Sequence, residues 1–329
     1  MRNSFRRACL RLTSVVLISL AAGSSVAWAQ SYPDKSTPIK VVVPFPAGTS
    51  ADALARAVAR GITEVSGAPV IVDNKAGADG FIGMEAAKLA RPDGYTMLLT
   101  TSSTQVVNPH LHAKLPYDPV LDFVPLGTVA KVPMFVNVGP SVPFKTAREL
   151  IGAARANPGK YTFGGGTSTV RIVGEMLKQA TGVDMLAVPY KNLPDAMMDT
   201  ASGRIDFVIV DAATAGPFYE KGVRPIAVTT AARSSRFPDV PTLQEEGVAG
   251  FEATGWYAAY FPAKTPPSVV AAMRDILYKA TRRRFVGELF TAAGMEPLDI
   301  AADDLDRFQR EEMEKWSKAV RAANLGPKQ

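Results

Sequence analysis

From residue 39 onward, short apolar runs rich in β-branched residues alternate with stretches whose apolar positions recur at helical spacing. Leu54, Val58 and Ile62 form one such helical face, and Val173 and Leu177 belong to another. Strand-sized runs that alternate with amphipathic helices are typical of parallel sheets covered by helices, so the pattern predicts an α/β fold. The predicted strands are residues 39–43, 69–72, 95–100, 134–138, 161–163, 186–188, 207–210 and 225–229.

The C-terminal third has a different, mainly helical pattern. The chain of 329 residues is long enough for two domains, and it contains no internal repeat and no low-complexity linker. We therefore expect two α/β lobes, with a chain that crosses between them more than once. The two predicted C-terminal helices have apolar faces at Val269, Met273, Ile276, Leu277 and Ala280, and at Leu305, Phe308, Met313, Trp316 and Val320.

The first 29 residues have the three parts of a secretory signal peptide. An arginine-rich start precedes an apolar stretch at residues 12–22, and Ala27-Trp28-Ala29 fits a cleavage site. The apolar stretch is shorter than the roughly 20 residues that a membrane-spanning helix needs. Residues 1–29 are thus predicted to be a signal peptide that directs the protein to the periplasm.

Charge and cysteine content narrow the function classes further. Four arginines and no acidic residue lie in the predicted signal, so most of the formal charge of +6 belongs to it. The remaining basic cluster, residues 282–284, is interpreted as a solvated helix end, and no nucleic-acid partner is expected. Cys9, the only cysteine, also lies in the signal. This leaves the mature chain without a disulfide or a thiol nucleophile, as suits a periplasmic protein with a large core.

Two glycine-rich junctions, each between a predicted strand and a predicted helix, are the candidate binding sites. They read PFPAGTS at residues 44–50 and FGGGTST at residues 163–169. Glycine lets the backbone approach a ligand closely, and the first N–H groups of a helix point outward at its positive end. Neither segment matches a phosphate or dinucleotide loop pattern, so a carboxylate is the favoured anion.

A purely structural interpretation of these junctions stays open. Thr49 with Asp52 resembles a capping box, and Ser168 is a candidate cap for the second helix. Capping alone is the more common explanation for a single junction of this kind. Because there is one junction in each predicted lobe, the pair favours a ligand held between the lobes.

Many short motifs, in order along nearly the whole mature chain, resemble the Bug family, the TctC-like extracytoplasmic solute receptors of tripartite tricarboxylate transporters. The segments that carry the resemblance are YPD at 32–34, VPFPAG at 43–48, VDNKAGA at 72–78, PDGYT at 92–96, LPYDP at 115–119, VPYK at 188–191, AVT at 227–229, FPDVPT at 237–242 and GFEA at 250–253.

The resemblance implies a two-lobed periplasmic binding protein, type II-like, with a ligand cleft between the lobes. Residues 31–131 plus 253–329 would form lobe 1 and residues 132–252 lobe 2. It also implies a monomer that captures a small organic carboxylate without a cofactor and delivers it to membrane subunits. By analogy with family members, one loop that binds the carboxylate would contain Phe45, Ala47, Gly48, Thr49 and Ser50, and the second-lobe loop Gly165, Thr167 and Ser168.

Two positions depart from the family pattern. Pro46-Ala47-Gly48-Thr49 stands where the family usually reads P-P-G-G, and Arg171 stands where relatives commonly have histidine. A guanidinium in the first turn of a helix opposes the helix dipole and calls for a nearby anion. A second ligand carboxylate would provide it, which favours a dicarboxylate or an aromatic acid. Pairing with Glu175, four residues on, is the alternative.

Two further polar positions follow predicted strands. Asp211 comes directly after residues 207–210, where α/β sheets place ligand-contacting side chains. It is predicted either to accept a hydrogen bond from a ligand or to cap the next helix. Ser102 follows the strand at 95–100 and is a weaker candidate by the same argument.

The sequence does not indicate an enzyme. His110 and His112 form an H-x-H pair without a recognisable third metal ligand and are interpreted as ordinary loop histidines, so no metal is expected. No G-x-S-x-G motif is present, and Glu311-Glu312 is interpreted as a solvated helix face. Tyr190, Trp256, Tyr257 and Tyr260 are interpreted as core residues. Two functions are alternatives to a transport receptor: an adaptor for a membrane sensor kinase and, less favoured, an exported α/β hydrolase.

Overall fold

The computed structural model describes residues 32–301, 304–322 and 324–327. The predicted signal peptide, residues 1–29, and Cys9 within it lie outside the described residues. Of the first compact unit, Met1–Asp34, only residues 32–34 are described. The features discussed below belong to the second unit, Lys35–Gln329.

The strands largely confirm the predicted apolar runs, with bounds that differ by one or two residues. The two long strands at Phe123–Pro133 and Thr254–Pro262 are absent from the predicted ranges. The strands are β1 (Ile39–Val43), β2 (Val70–Asn74), β3 (Thr96–Thr101), β4 (Phe123–Pro133), β5 (Phe135–Val138), β6 (Thr162–Gly165), β7 (Leu186–Pro189), β8 (Phe207–Val210), β9 (Arg224–Val228), β10 (Thr254–Pro262) and β11 (Glu296–Pro297).

Each of the four predicted amphipathic stretches is a helix, including both in the C-terminal third, and the other helices were not predicted. A single 3₁₀ turn, Ala78–Gly80, and a wide π-helical turn, Ser103–Val107, complete the described elements. The helices are α1 (Ser50–Ser66), α2 (Phe81–Lys88), α3 (Asn108–Leu111), α4 (Ala147–Ala156), α5 (Ser168–Thr181), α6 (Leu193–Ala201), α7 (Ala212–Tyr219), α8 (Pro267–Thr281), α9 (Arg284–Ala293) and α10 (Leu305–Ala322).

Two sheets organise the chain into two lobes. The first lobe contains a six-stranded sheet in the order β11-β4-β10-β3-β1-β2, and the second lobe a five-stranded sheet in the order β7-β6-β8-β5-β9. The chain passes from the first sheet to the second between β4 and β5, and it returns between β9 and β10. The residue boundaries given above for whole lobes stay a prediction.

The expectation of parallel sheets is only partly correct, because both sheets are mixed. In the first lobe β1 pairs in parallel with β2 and β3, and in the second β6 pairs in parallel with β7 and β8. The strands on either side of the crossings, β4, β5, β9 and β10, pair antiparallel with their neighbours. The chain passes directly from β4 in the first sheet to β5 in the second. It therefore contains no helical βαβ crossover at this point, the connection that joins parallel strands.

The α1 helix shows how the sequence pattern places its N-terminus. Leu54, Val58 and Ile62 are fully buried, and α1 packs against α8. The two helices approach closely at Gly61, where a Cβ atom would lie 2.7 Å from the carbonyl oxygen of Ala280. This fixed packing holds the first turn of α1 at the carboxyl end of β1, where ligands bind in α/β sheets.

None of the helices in the described part of the chain is long and apolar enough to cross a membrane.

Candidate functional site

A cavity of about 140 Å³ lies between the two lobes. The first lobe lines it with the loop after β1, the 76–80 turn and the ends of β3 and β10; the second lobe lines it with the loops before α5, α6 and α7. Apolar side chains make up much of its wall. They include Phe45, Val132, Met134, Val170, Leu193 and Val210.

The loop between β1 and α1 is fixed by its own side chains. Thr49 caps α1 by accepting a hydrogen bond from the Asp52 N–H at 3.4 Å. In a capping box the Asp52 carboxylate would accept from the Thr49 N–H, but here it accepts from the Gly48 N–H at 3.0 Å. Asp52 therefore stabilises the turn one residue earlier than the sequence predicts. Gly48 adopts a left-handed conformation with φ of 81° at this turn.

The ionised form of Asp52 is favoured by this arrangement. Burial opposes ionisation, but hydrogen bonds from Arg56 and from the Gly48 N–H outweigh it, and they hold the pKa of the carboxyl below its ordinary value. Asp52 is 5% exposed, whereas the Arg56 side chain is largely in solvent. The carboxylate thus works mainly as a fixed acceptor beneath the loop.

The loop between β6 and α5 is the counterpart in the second lobe. Thr167, not Ser168, caps the helix, since its side chain accepts from the Val170 N–H at 3.4 Å. The sequence prediction for Ser168 is wrong by one position. Ser168 is the first residue of α5 instead, and its hydroxyl donates to the Asn108 Oδ1 of the first lobe at 2.5 Å.

The N-termini of α1 and α5 contribute to the wall of the same cavity. At Ser50 and Ala51 of α1, and at Ser168 and Thr169 of α5, the backbone N–H groups have no hydrogen-bond partner among the described residues. All four residues line the cavity. Two positive helix ends with free donors therefore meet across one small space, which is the arrangement that suits an anion.

Asp211 connects the lobes as well as capping α7. Its carboxylate accepts from the Thr214 N–H at 3.0 Å, which confirms the predicted cap. It also accepts from the Ser50 hydroxyl at 2.5 Å, and the Ser50 and Thr214 hydroxyls lie 2.8 Å apart. Since both its oxygens accept hydrogen bonds from the protein, Asp211 is at least a structural acceptor on the cavity wall, and its contact with a ligand stays a prediction.

A second connection between the lobes involves the π-helical turn and α3. The hydroxyls of Ser103 and Thr169 are hydrogen-bonded at 2.7 Å. Asn108, which accepts from Ser168, donates from its side chain to the carbonyl of Asp79 at 2.9 Å. The lobes are thus held together by hydroxyl contacts on both sides of the cavity.

Two residues of the cavity wall are buried as whole residues, and their hydroxyl groups form no hydrogen bond with any described residue. They are Ser102, which is 1% exposed, and Tyr257, which is 6% exposed. Burial raises the pKa of Tyr257 well above its ordinary value, and the charge of Asp211 adds to this. Both groups are neutral donors that a ligand oxygen could accept from.

The predicted ligand-binding residues divide into two groups. Those that line the cavity are Phe45, Thr49, Ser50, Ser102, Thr167, Ser168 and Asp211, whereas Ala47, Gly48, Gly165 and Arg171 are not among the lining residues. Their part in ligand binding stays a prediction.

Arg171 is half-buried outside the cavity wall, beside the backbone of β6. A Cβ atom added to Gly165 would lie 3.2 Å from the Cβ of Arg171. The alternative partner, Glu175, pairs with Lys178 at 3.2 Å instead. The predicted pair with Glu175 is therefore not formed, and the pairing of Arg171 with a ligand carboxylate stays a prediction.

Several wall residues were not predicted from the sequence. Lys191 is the last residue of the VPYK motif, Asp79 follows the VDNKAGA motif, and Thr214 follows the cap at Asp211. Nothing in these local patterns marks them as cavity residues. Trp256 and Tyr257 are buried, as their interpretation as core residues requires, yet they also line the cavity. Tyr260 is buried and lies outside the cavity wall.

The two histidines lie beside the cavity rather than in its wall. The His110 Nε2 contacts the carbonyl of Met313 at 2.9 Å, and the His112 Nε2 lies 3.3 Å from the Asp79 carboxylate. Within residues 32–301, 304–322 and 324–327, no three side chains suited to a metal ion come together.

Comparison with known proteins identifies the family. The family described as "Tripartite tricarboxylate transporter family receptor" matches residues 54–325. The chain belongs to this family. One relative, Protein BugT of Bordetella pertussis, is 32% identical over 317 residues, which cover 94% of this chain and 97% of BugT.

Solved structures agree with this tricarboxylate transporter receptor assignment. The R. palustris protein Rpa4515, solved with adipate, superposes with a TM-score of 0.85 at 31% identity and covers 90% of this chain and 100% of its own. The periplasmic binding protein BugD superposes with a TM-score of 0.83 at 29% identity, with 90% and 100% covered. The receptor is therefore a two-lobed α/β periplasmic binding protein with its ligand cleft between the lobes.

Proposed function

We propose that this receptor binds a small organic carboxylate between its lobes and delivers it to the membrane subunits of a tripartite tricarboxylate transporter. The observation that carries the proposal is the meeting of two helix N-termini, from different lobes, at one cavity. The adipate bound by Rpa4515, a similar protein, supports the ligand class. Binding requires no covalent step and no cofactor.

The proposed carboxylate contacts are main-chain and hydroxyl donors rather than arginine. One ligand carboxylate accepts from the N–H groups of Ser50 and Ala51 and from those of Ser168 and Thr169, directly or through water. Charge-assisted hydrogen bonds contribute about 1.5 to 3 kcal/mol each, and three or four of them give about −8 kcal/mol, which corresponds to micromolar affinity. Apolar wall residues then contact the carbon skeleton.

Hydrogen bonds between the lobes connect ligand binding with delivery of the ligand to the membrane subunits. The Ser50–Asp211 and Ser168–Asn108 hydrogen bonds form only when the lobes are together, and the bound ligand adds further contacts to both lobes. Ligand binding therefore favours the closed arrangement, whose outer surface the membrane subunits recognise. Export to the periplasm through the predicted signal peptide places the receptor where such subunits are accessible.

The decisive test is a thermal-shift screen of the purified receptor against mono-, di- and tricarboxylates, amino acids and aromatic acids. A ligand at 100 times its Kd stabilises a protein by about 2.7 kcal/mol, which raises the melting temperature measurably. Mass spectrometry of the released ligand should return it unaltered. If no carboxylate shifts the melting temperature, or if the ligand is converted to a product, the proposal is wrong.

The localisation is tested separately. Expression of the full chain in a bacterium, followed by fractionation, should place the protein in the periplasm after removal of residues 1–29. Retention of the complete chain in the cytoplasm would contradict this part of the proposal.

A further inference from the structure

The charged side chains of the cavity wall differ in whether they have a hydrogen-bond or ion-pair partner. Among the described residues, three charged ones line it: Asp79, Lys191 and Asp211. Asp211 accepts hydrogen bonds from Ser50 and Thr214, and the Asp79 carboxylate lies 3.3 Å from the His112 ring. Lys191 forms no ion pair with any described residue. Its ammonium group is therefore a cation on this wall that no described carboxylate neutralises.

Lys191 is also the only cationic side chain among the described residues that line the cavity. It is exposed, and its long, flexible stem is free to turn toward the cavity. The sequence assigns the second cation to Arg171, which is not among the residues that line the cavity. Lys191, in the neighbouring loop, lines the cavity itself.

The backbone that carries Lys191 is firmly held. The next residue, Asn192, caps α6 by accepting from the Asp195 N–H at 2.9 Å. The same residue packs against the glycine loop before α5, where a Cβ atom on Gly166 would lie 2.7 Å from the Asn192 carbonyl carbon. Lys191 is thus fixed beside the loop that presents the α5 donors, with only its side chain mobile.

We propose that Lys191 determines selectivity for ligands with a second anionic group. The inference rests on the proposed function: the two helix ends bind the first carboxylate, and the Lys191 ammonium pairs with a second carboxylate at the mouth of the cavity. Between them, Phe45, Met134 and Leu193 contact the carbon chain. A ligand with one carboxylate makes the first contacts only.

The test compares matched pairs of ligands on the whole mature receptor by calorimetry: adipate with hexanoate, succinate with butyrate, and terephthalate with benzoate. Lys191→Met removes the charge and keeps the stem. Because the ammonium group is exposed, we expect about a fivefold loss of affinity for the preferred dicarboxylate and no change for its monocarboxylate partner. Lys191→Arg should retain the wild-type preference, and added salt should weaken dicarboxylate binding to the wild type more than to Lys191→Met.

Lys145→Met is the matched control. Lys145 is an exposed lysine of the same lobe that lines no part of the cavity and forms no ion pair with a described residue. It should leave both affinities unchanged. Equal loss for both members of a pair, or no loss at all in Lys191→Met, would overturn the role of Lys191. Failure of the wild type to bind any carboxylate would instead overturn the proposed function, so the two failures are distinguishable.

Discussion

The Ser50 hydroxyl donates a hydrogen bond to the Asp211 carboxylate at 2.5 Å, although the two residues belong to different lobes and lie 161 positions apart. Ser50 is the first residue of α1, and Asp211 caps α7. The contact therefore joins the N-terminal ends of two helices across the cavity. It connects the loop proposed to bind the ligand with the closure of the lobes.

Ser50→Ala is expected to weaken ligand binding by about tenfold, because a hydrogen bond to a charged acceptor contributes about 1.5 kcal/mol to the closed arrangement. The backbone N–H of residue 50 is retained, so the loss measures closure and not the main-chain contact. Calorimetric titration with the best carboxylate from the screen gives the change. Ser66→Ala, at the other end of α1, is the control and should bind as the wild type does.

Gly48→Ala should destabilise the protein and weaken ligand binding. Gly48 has φ of 81° and no atom within 4 Å of an added Cβ, so the cost is conformational, about 1 kcal/mol or more. Gly182→Ala is a matched control, because Gly182 has φ of 66° and the same open surroundings at the end of α5. Both variants should lose similar stability in chemical denaturation, and only Gly48→Ala should lose affinity. Equal affinities would show that the Gly48 turn does not position the binding loop.

Asp52→Asn should lower the free energy of unfolding at neutral pH by about 1.5 kcal/mol, the amount of one charge-assisted hydrogen bond. Arg56 is exposed and adds little, so the bond from the Gly48 N–H accounts for most of it. Since the pKa of Asp52 is lowered by folding, its contribution is present above the ordinary value of 3.8 and is lost as the pH falls through the lowered pKa. Denaturation curves of wild type and variant should therefore converge in acid. A difference that persists there would contradict the assignment.

The stability of the protein should also depend on pH through His110. Here burial disfavours the charged form, whereas hydrogen bonds favour the charged form of Asp52. Burial lowers its pKa below the ordinary 6.5; the hydrogen bond with the Met313 carbonyl opposes this, and the charge of Arg321 adds to it. Below 6.5 the unfolded chain binds a proton that the folded chain resists, so stability falls as the pH drops from above 6.5 through the folded pKa. His110→Gln should show a smaller fall over this window in thermal melts. Parallel curves for the two proteins would refute the explanation.

The sequence predicts the parallel strands and the four helices α1, α5, α8 and α10 because their apolar positions follow a single period. Strand β4 is missed for a physical reason: it contains Pro125, Gly127 and Pro133, which argue against a regular strand, and its pairing with β10 has register shifts. Strand β10 is buried along almost its whole length and does not alternate. Both strands depend on tertiary pairing that no local pattern encodes.

The candidate site is also predicted only in part, because some of its contacts join residues that are distant in sequence. Hydroxyl and glycine signals locate the helix start at Thr49 and, within one residue, the one at Thr167, and they led to the two binding loops. The hydrogen-bond partners of Ser50 and Ser168 cannot be found in this way. Asp211 and Asn108 lie far away in sequence and contact them only when the two lobes come together. Arg171 was assigned from helix position alone; the base of its side chain lies beside Gly165 of β6, and the residue is not among those that line the cavity.

The prediction that Glu312 lies on a solvated helix face is wrong. As part of an acidic pair it is predicted to be solvated, yet its Oε2 accepts from the indole N–H of Trp256 at 2.8 Å and of Trp316 at 3.2 Å. The third tryptophan, Trp28, lies in the predicted signal peptide. The mature receptor would thus carry two indoles on one carboxylate, one of them at the cavity wall. Its intrinsic fluorescence should therefore report occupancy directly, so that candidate ligands can be titrated without any label.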